Sequence, residues 1–179
     1  DEALIPALDI VGAKYEKGTL FLPQLLQAAS AAQSAFEEIK TAIAQKGEGS
    51  ASKGRIVIAT VKGDVHDIGK NIVAIVLGCN GFDVRDLGVM VAKETILDEA
   101  AAWGADIVGA SGLITPSLFH MEELCREMTR RGLSVPLFIG GATTSALHTA
   151  VKLAPLYAHV FYGADASATA VMAKRCLAG

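Results

Sequence analysis

The order of apolar and polar positions divides the chain into two parts with different periodicities. Near the amino terminus, apolar residues recur at helical spacing at Leu4, Leu8, Val11 and Tyr15. A second helical run begins near Pro23, a residue suited to the first turn of a helix. The joint between the two runs is short and contains Gly18, so we predict a helical hairpin. Two helices alone bury too little apolar surface to be stable, so this hairpin should pack on a further element.

A polar segment follows the hairpin. Residues 47–54 are small and polar and are rich in Gly and Ser, a composition typical of flexible linkers. We therefore place a boundary here, between a helical part at residues 1–46 and a second domain at residues 55–179.

The second part alternates between short β-branched runs and longer helical patterns. Strands are predicted at 55–61, 82–87, 106–110, 136–140 and 158–162, and helices at 68–77, 93–103, 117–131, 144–153 and 164–177. Strands joined by helices form a parallel sheet that is covered on both faces. Right-handed crossovers favour a flavodoxin-like, doubly wound sheet with the strand order 2-1-3-4-5.

Composition narrows the classes of function. The formal net charge of −3 argues against a large basic surface for nucleic acid. No apolar run reaches the length of about 18 residues that a membrane-spanning helix needs, and the first residues do not resemble a signal peptide. The three cysteines form no CxxC pair, so a disulfide framework is not expected. We expect a cytoplasmic protein that binds neither nucleic acid nor membrane.

Doubly wound sheets bind ligands outside the carboxyl ends of their strands, at the switch between strands 1 and 3. That rule directs attention to the loops at residues 62–71, 111–117 and 140–145, which follow strands 1, 3 and 4. All of these loops should face one crevice.

The first loop carries a histidine in a polar, glycine-flanked setting. Neutral imidazole is the commonest protein ligand of metals, so His66 is a candidate ligand. Asp64 is close enough in sequence to accept a hydrogen bond from the other ring nitrogen, and Ser117 could extend that chain from the facing loop. The alternative interpretation of His66 is an ordinary surface residue. Gly69, Gly140 and Gly141 either admit something large to the backbone or form tight turns.

Together these loops resemble a known signature. Asp64-Val65-His66-Asp67-Ile68-Gly69 matches the DxHxxG motif of proteins that bind cobalamin with a histidine ligand, and Ser111-Gly112-Leu113 and Gly140-Gly141 follow at suitable distances. The longer stretches at 61–73, 111–117 (SGLITPS) and 140–145 (GGATTS) are similar to the cobalamin-binding module of the cobalamin-dependent methionine synthase family. The hairpin, with Tyr15 and residues 21–24, resembles part of that family's four-helix cap.

The resemblance implies a cofactor and a site. His66 would bind the cobalt of cobalamin, carried as methylcobalamin, in place of the cofactor's own dimethylbenzimidazole base. Asp64 and Ser117 would form a proton relay with His66, and these three residues are the catalytic candidates. The displaced nucleotide tail would enter a slot between the sheet and the helices. The implied cofactor contacts are Tyr15, Leu22, Gly63, Asp64, Val65, His66, Asp67, Ile68, Gly69, Ser111, Leu113, Thr115, Ser117, Gly140, Gly141, Ala142, Gly163 and Ala164.

The resemblance also implies a reaction, namely transfer of a methyl group from methyltetrahydrofolate to homocysteine. The partners would be the homocysteine-, folate- and S-adenosylmethionine-binding domains of the same enzyme. Only two cap helices and no substrate-binding domain occur in the sequence, so we expect that this chain alone does not complete turnover.

Other interpretations remain open. A corrinoid carrier of another methyltransferase system, or the cobalamin domain of a carbon-skeleton mutase, would share the DxHxxG motif. A phosphorelay receiver domain has the same strand order but needs an Asp at the end of strand 3, where this chain has Ala110-Ser111-Gly112. A flavodoxin-like FMN carrier would need a phosphate loop after strand 1, where Asp64 and Asp67 would repel phosphate.

Overall fold

The computed structural model describes residues 4–21, 23–25, 27–28, 30–32, 34–35, 38 and 52–177. The chain divides into two compact units, Asp1–Ala51 and Ser52–Gly179. Of the sequence-based predictions, Leu22 and positions 47–51 of the linker lie outside the described residues.

The first unit begins with the predicted helix. Helix α1 spans Leu4–Glu16. The chain turns away from the helix at Gly18, whose φ of +68° is a left-handed conformation that glycine adopts without strain. The Thr19 N–H donates back to the carbonyl of Lys14 at 3.0 Å and closes the last turn. The described positions between 23 and 38 are also helical, as the hairpin prediction requires.

The second unit is built on a sheet of five parallel strands. The strands are β1 (Arg55–Thr60), β2 (Asp83–Asp86), β3 (Ile107–Ser111), β4 (Leu137–Gly140) and β5 (Val160–Tyr162). Their order is β2-β1-β3-β4-β5, and every pairing is parallel. The predicted flavodoxin-like topology is therefore confirmed.

The connecting helices are α2 (Ile68–Cys79), α3 (Lys93–Trp103), α4 (Thr115–Arg130), α5 (Ala146–His148) and α6 (Ala166–Leu177). Helix α5 continues as a π-helical turn over Thr149–Leu153. It begins later than the predicted position 144 because Ser145 caps it, accepting a hydrogen bond from the His148 N–H at 3.1 Å.

Alternating strand residues feed two separate apolar cores. Val57, Val108 and Leu137 belong to a core that includes residues of α3, α4 and the π-helical turn. Ile56 and its neighbours on the other strands face a smaller core with residues of α2 and α6. Successive strand side chains point to opposite faces, so the sheet is covered on both sides. We call the first side the filled face. We call the second side the cavity face, because a cavity lies on it.

In the part of the chain that the structure describes, no helix combines the length and the apolar character needed to cross a bilayer.

Candidate cofactor-binding site

The loop after β1 leaves the sheet at the predicted switch point. Val61 still bridges to Val91 in parallel register, and the chain then turns at Gly63, whose φ is +81°. The Asp64 N–H donates to the carbonyl of Val61 at 3.2 Å, which closes this turn. The Thr60 hydroxyl donates to the carbonyl of His66 at 3.0 Å and ties the loop back to the strand end. These two hydrogen bonds, one within the backbone and one from the Thr60 side chain, anchor the loop to the end of β1.

The carboxylate of Asp64 lies at the centre of a hydrogen-bond network. Its side chain has no exposed surface. Oδ1 accepts from the His66 backbone N–H at 3.0 Å and lies 2.7 Å from His66 Nδ1. Oδ2 accepts from the Ser117 hydroxyl and from the Leu113 N–H, both at 2.6 Å. One carboxylate therefore connects the β1 loop, the β3 loop and the first turn of α4.

These contacts decide the charge of Asp64. Burial by itself raises the pKa of this carboxyl group, because it disfavours the charged form. The hydrogen bonds from Ser117, His66 and Leu113 favour the carboxylate and outweigh burial, so the pKa lies well below its ordinary value. Asp64 is consequently an anion at neutral pH. Since an anion only accepts hydrogen bonds, the short contact requires that His66 Nδ1 carries a proton.

The other side of the imidazole is open. The His66 side chain is 47% exposed, and no described residue is within hydrogen-bonding distance of Nε2. In the neutral ring with Nδ1 protonated, Nε2 holds the lone pair, which points away from Asp64. Val65, Ile68 and Leu113 expose apolar side chains on the same loops, and Met90, whose N–H donates to the carbonyl of Asp64 at 3.0 Å, is also exposed. A metal atom bound to Nε2 would therefore be surrounded by an apolar surface.

Close glycine contacts join the β3 and β4 loops. Gly141 has a φ of +118°, and a Cβ there would lie 1.9 Å from the carbonyl oxygen of Gly112. A Cβ on Gly112 would in turn lie 2.4 Å from the Cβ of Ser117. Both glycines are required for the protein to pack against itself. Ser117 is thereby positioned against Asp64.

A cavity of about 380 Å³ lies on the cavity face, between the sheet and helices α2 and α6. Its wall includes seven predicted site residues: Gly69, Ser111, Gly140, Gly141, Ala142, Gly163 and Ala164. A Cβ on Gly69 would meet nothing within 4 Å, so this glycine leaves free space at the wall. We call the end of the cavity beside the start of the strands the inner end; its lining residues Ile56, Leu77 and Phe138 are apolar. We call the end at the carboxyl edge of the strands the mouth; its lining includes the polar residues Ser111 and Thr144.

The remaining predicted site residues of the second unit lie off the cavity wall. Asp67 precedes α2 and makes no side-chain cap hydrogen bond. Thr115 opens α4. Gly63 faces the ring of His120, because a Cβ added to this glycine would lie 3.5 Å from Nε2 of that ring. Leu113 binds Asp64 through its backbone, which residue type alone does not reveal.

Tyr15 lies on α1 in the first unit and is exposed. Its contact with a cofactor stays a prediction, as does that of Leu22.

Sequence reasoning missed several residues of the cavity wall. Lys70, Thr144, Asp165 and Thr169 line the cavity and were not among the predicted cofactor contacts, although Lys70 and Thr144 belong to loops predicted to face the crevice. Lys70 had a readable signal, because it lies three and seven residues before Val73 and Leu77 and therefore on the apolar side of α2. A lysine in such a stripe has a specific partner or a function. Asp165 and Thr169 gave no comparable signal.

A doubly wound parallel sheet with a buried aspartate that holds a half-exposed histidine at its switch point, and with a cavity beside them, defines a flavodoxin-like cofactor-binding module. A B12 binding domain model matches residues 54–171, and a second B12 binding domain model matches residues 1–40. The chain belongs to the B12 binding domain family.

Solved structures agree with this assignment. The methanol:cobalamin methyltransferase complex of Methanosarcina barkeri matches with a TM-score of 0.78 and 28% identity, over 100% of this chain and 66% of that chain. A cobalamin-binding protein of Desulfitobacterium hafniense DCB-2 matches with a TM-score of 0.72 and 28% identity, over 94% and 77% of the respective chains. This chain thus spans slightly less than two thirds of the matched chain in the M. barkeri methanol:cobalamin methyltransferase complex.

Two further structures bear on the alternatives. The monomethylamine corrinoid protein of M. barkeri matches with a TM-score of 0.62 and 30% identity, over 96% of this chain and 79% of that chain. The receiver domain of a response regulator from Mycobacterium tuberculosis matches with a TM-score of 0.52 but only 15% identity, over 72% and 98%, and therefore shares the fold alone.

The residues present fit cobalamin. A cobalt cofactor would need a nitrogen donor from the protein, and the open Nε2 of His66 could supply it. Among the described residues, no cluster of three His, Cys, Asp or Glu side chains is arranged to hold a free metal ion. The cavity, with its apolar inner end and glycine-rich wall, has room for a flat base.

Proposed function

We propose that this chain would hold cobalamin through His66 Nε2 as a ligand of cobalt, in place of the cofactor's own base, and that it carries methyl groups between partner modules. The observation that supports this proposal most strongly is the buried Asp64 carboxylate at 2.7 Å from Nδ1 of a half-exposed imidazole. A protein rarely buries an anion unless its partners are fixed. Here the anion fixes the tautomer and orientation of a potential ligand.

The chain's own residues set the properties of that ligand. Asp64 accepts the Nδ1 proton and increases the electron density on Nε2, the usual effect of a carboxylate behind a metal-binding histidine. Ser117 and the Leu113 N–H hold the second carboxylate oxygen, so the imidazole cannot rotate without breaking this network. When bound, cobalamin supplies a cobalt that accepts a methyl group from one substrate and passes it to another.

The same network can hold a proton. When Nε2 is not used as a ligand, it can accept a proton while Nδ1 remains bonded to Asp64. The resulting imidazolium would keep its 2.7 Å contact with the Asp64 carboxylate. Ser117 keeps that carboxylate in place through its 2.6 Å hydrogen bond. We propose that the Asp64–His66 pair would hold this proton whenever Nε2 is not bound to cobalt.

The displaced nucleotide tail would occupy the cavity on the cavity face. Gly69, Gly140 and Gly163 keep side chains out of the wall, and Ser111 and Thr144 place hydroxyl groups in the wall. Ile56, Leu77 and Phe138 give the inner end the apolar character that an aromatic base requires.

A spectroscopic experiment tests the ligand. Methylcobalamin bound to the chain should show the absorption spectrum of an imidazole-ligated corrinoid, and His66→Gly should show the spectrum of the form without an axial base. Free imidazole added to His66→Gly should restore the first spectrum. His159→Gly, which removes an exposed histidine elsewhere, is the matched control. An unchanged spectrum in His66→Gly would contradict the proposal.

For the substrates, we propose methyltetrahydrofolate as methyl donor and homocysteine as acceptor, with the chain acting as the cobalamin-carrying part of a methionine synthase. The support is the resemblance of the two longer stretches, SGLITPS at 111–117 and GGATTS at 140–145. The first stretch forms the β3 loop that binds Asp64, and residues of both stretches line the cavity. The partners would be the modules that bind homocysteine, folate and S-adenosylmethionine.

A corrinoid carrier of another methyltransferase system is the second candidate. It is favoured by the similarity at 28% and 30% identity to M. barkeri proteins named for methanol and monomethylamine. Methylation of the reduced, cobalamin-loaded chain should be measured with methyltetrahydrofolate, methanol and monomethylamine, each with its own methyltransferase module. Fast methylation from the folate alone supports the first candidate, and fast methylation from either other donor supports the second.

A further inference from the structure

Lys70 is a buried cation that the proposed site has not yet used. It lies in the first turn of α2, four residues after His66, and its side chain is only 2% exposed. Its ammonium group donates to Asp86 Oδ2, at the end of β2, and to Asn71 Oδ1 at 2.7 Å. Burying an ammonium is costly, so a protein keeps one in such a place only with partners.

The donor count of this ammonium is incomplete. Lysine has three N–H donors, and Asp86 and Asn71 take two of them. No other described residue accepts the third. A buried group that is charged and has an unused donor favours the arrival of an acceptor from outside the protein.

The position of Lys70 indicates where that acceptor comes from. Lys70 lines the cavity, and it is the only cationic residue among those that do. Because it belongs to the first turn of α2, it lies near the mouth of the cavity, whereas Leu77 lies near the inner end. The one carboxylate on the wall, Asp165, already accepts from the Ala168 N–H at 2.7 Å and caps α6.

The nucleotide tail of cobalamin has a matching order of groups. Going outward from the corrin ring, it carries an amide linker, a phosphodiester, a ribose and the aromatic base. A tail that enters with its base at the apolar end leaves the phosphodiester near the mouth. An ammonium with a free donor is a suitable partner for a phosphate oxygen at that point.

We propose that Lys70 donates its third N–H to the phosphate of the cobalamin tail and thereby selects corrinoids that carry a nucleotide. The inference rests on the proposed function, since it assumes that the tail occupies this cavity. It adds to that function a residue that recognises the charge of the tail, as distinct from the residues that leave room for it.

The test compares two variants that both lack the ion pair between Lys70 and Asp86. Asp86→Asn keeps the ammonium, and Asp86→Asn/Lys70→Met removes it without leaving Asp86 as an unpaired carboxylate. Binding of cobalamin and of cobinamide, which lacks the nucleotide, should be measured by absorbance titration for both variants and for the unaltered chain. We expect the double variant to bind cobalamin about ten- to a hundredfold more weakly than Asp86→Asn, the usual effect of a charged hydrogen bond. Both variants should bind cobinamide equally.

Two outcomes would overturn the proposal. Equal cobalamin affinities for the two variants would show that the ammonium does not meet the tail. An equal loss for cobalamin and cobinamide would show that Lys70 acts only on the structure of the protein. If the double variant does not fold, Asp86→Asn/Lys70→Gln replaces it, with the same expected difference between the two corrinoids.

Failure of this inference is distinguishable from failure of the proposed function. Suppose that the unaltered chain binds cobalamin with the His66-dependent spectrum while the two variants bind cobalamin with equal affinity. In that case only the role of Lys70 is wrong. Should the unaltered chain bind cobinamide as tightly as cobalamin, the tail does not enter the cavity, and both the inference and that part of the proposed function are wrong.

Discussion

The two faces of the central sheet are packed differently. On the filled face, residues from the strands, α3, α4 and the π-helical turn form one large core, in which Met121, Leu124 and Leu153 have no exposed surface. On the cavity face, a smaller core with Leu77, Ala170 and Ala173 leaves about 380 Å³ of open space beside it.

Interiors of proteins are normally packed without voids of this size, because every empty volume forfeits contacts. The filled face therefore supplies most of the packing that stabilises the fold, and the cavity face gives up packing at the place where we propose that a ligand enters. The comparison teaches that stability and binding should respond to different substitutions in this unit.

The same substitution on the two faces should have different costs, and this is the largest effect that we expect. Leu97→Ala, on the filled face, should lower the free energy of unfolding by about 2–5 kcal/mol, the range for a leucine removed from a packed core. Leu77→Ala should fall at the low end of that range, because one side of Leu77 borders the cavity and makes fewer contacts. Urea unfolding without cobalamin measures both. Equal costs would mean that the cavity does not persist in solution.

Filling the cavity should separate binding from stability. Gly69→Leu places a side chain where a Cβ meets nothing within 4 Å, and leucine favours the helix more than glycine does. Cobalamin affinity should fall about ten- to a hundredfold, since overpacking costs about 1–3 kcal/mol, while the unfolding free energy should not fall. Gly78→Leu, at another uncrowded glycine of α2 that does not line the cavity, should leave affinity unchanged. If both variants bind alike, the cavity does not receive the tail.

In the loop after β1, the Asp64 carboxylate should make the stability of the fold depend on pH. Its pKa in the folded chain lies below the ordinary carboxyl value of 3.8, because its hydrogen bonds outweigh burial. A depressed pKa stabilises the fold above that ordinary value, and the contribution is lost as the pH falls through lower values. Asp64→Asn should lower the unfolding free energy at pH 7 by about 1–3 kcal/mol and reduce its dependence on acid.

Unfolding of this variant and of Asp98→Asn, which changes an exposed carboxylate on the surface of α3, should be compared between pH 7 and acid. A variant that keeps the full acid dependence of the unaltered chain would show that Asp64 is not the group responsible.

At the far end of α4, a carboxylate with a lowered pKa should matter least. Arg130 and Arg131 hold the pKa of Glu127 at about 2, and the side chain of Arg130 in this network is 71% exposed. Salt screens such pairs, and they contribute little to stability. Glu127→Gln should leave cobalamin affinity unchanged, and any change in melting temperature should vanish in high salt. A salt-independent loss would contradict this interpretation.

Much of the fold was predictable from local pattern. The β-branched run at 55–60, the alternation of strands and helices and the handedness of crossovers were sufficient for the strand order. The π-helical turn at Thr149–Leu153 was not predictable, because its apolar spacing hardly differs from that of an α-helix over so few residues.

The candidate site was predictable where residue type carries the chemistry. Asp64, His66 and Ser117 were identified from their types and loops, and the structure brings them together. The Leu113 N–H was not predictable as a partner of Asp64, because every residue except proline has an N–H and only the fold directs it. Gly141 was considered for room or for a tight turn, and it proved to permit a close approach to Gly112 that needs three-dimensional packing to be seen.

The central claim, that His66 binds cobalt, is tested most directly by electron paramagnetic resonance. The chain should be loaded with cobalamin, reduced to the Co(II) state, and compared with the same protein containing ¹⁵N-labelled histidine. If His66 is the ligand, coupling to ¹⁴N splits each cobalt line into a triplet, and the label changes it to a doublet. In His66→Gly the nitrogen splitting should be absent. A triplet that persists with labelled histidine would mean that the cofactor's own base remains on the metal, and it would contradict the account.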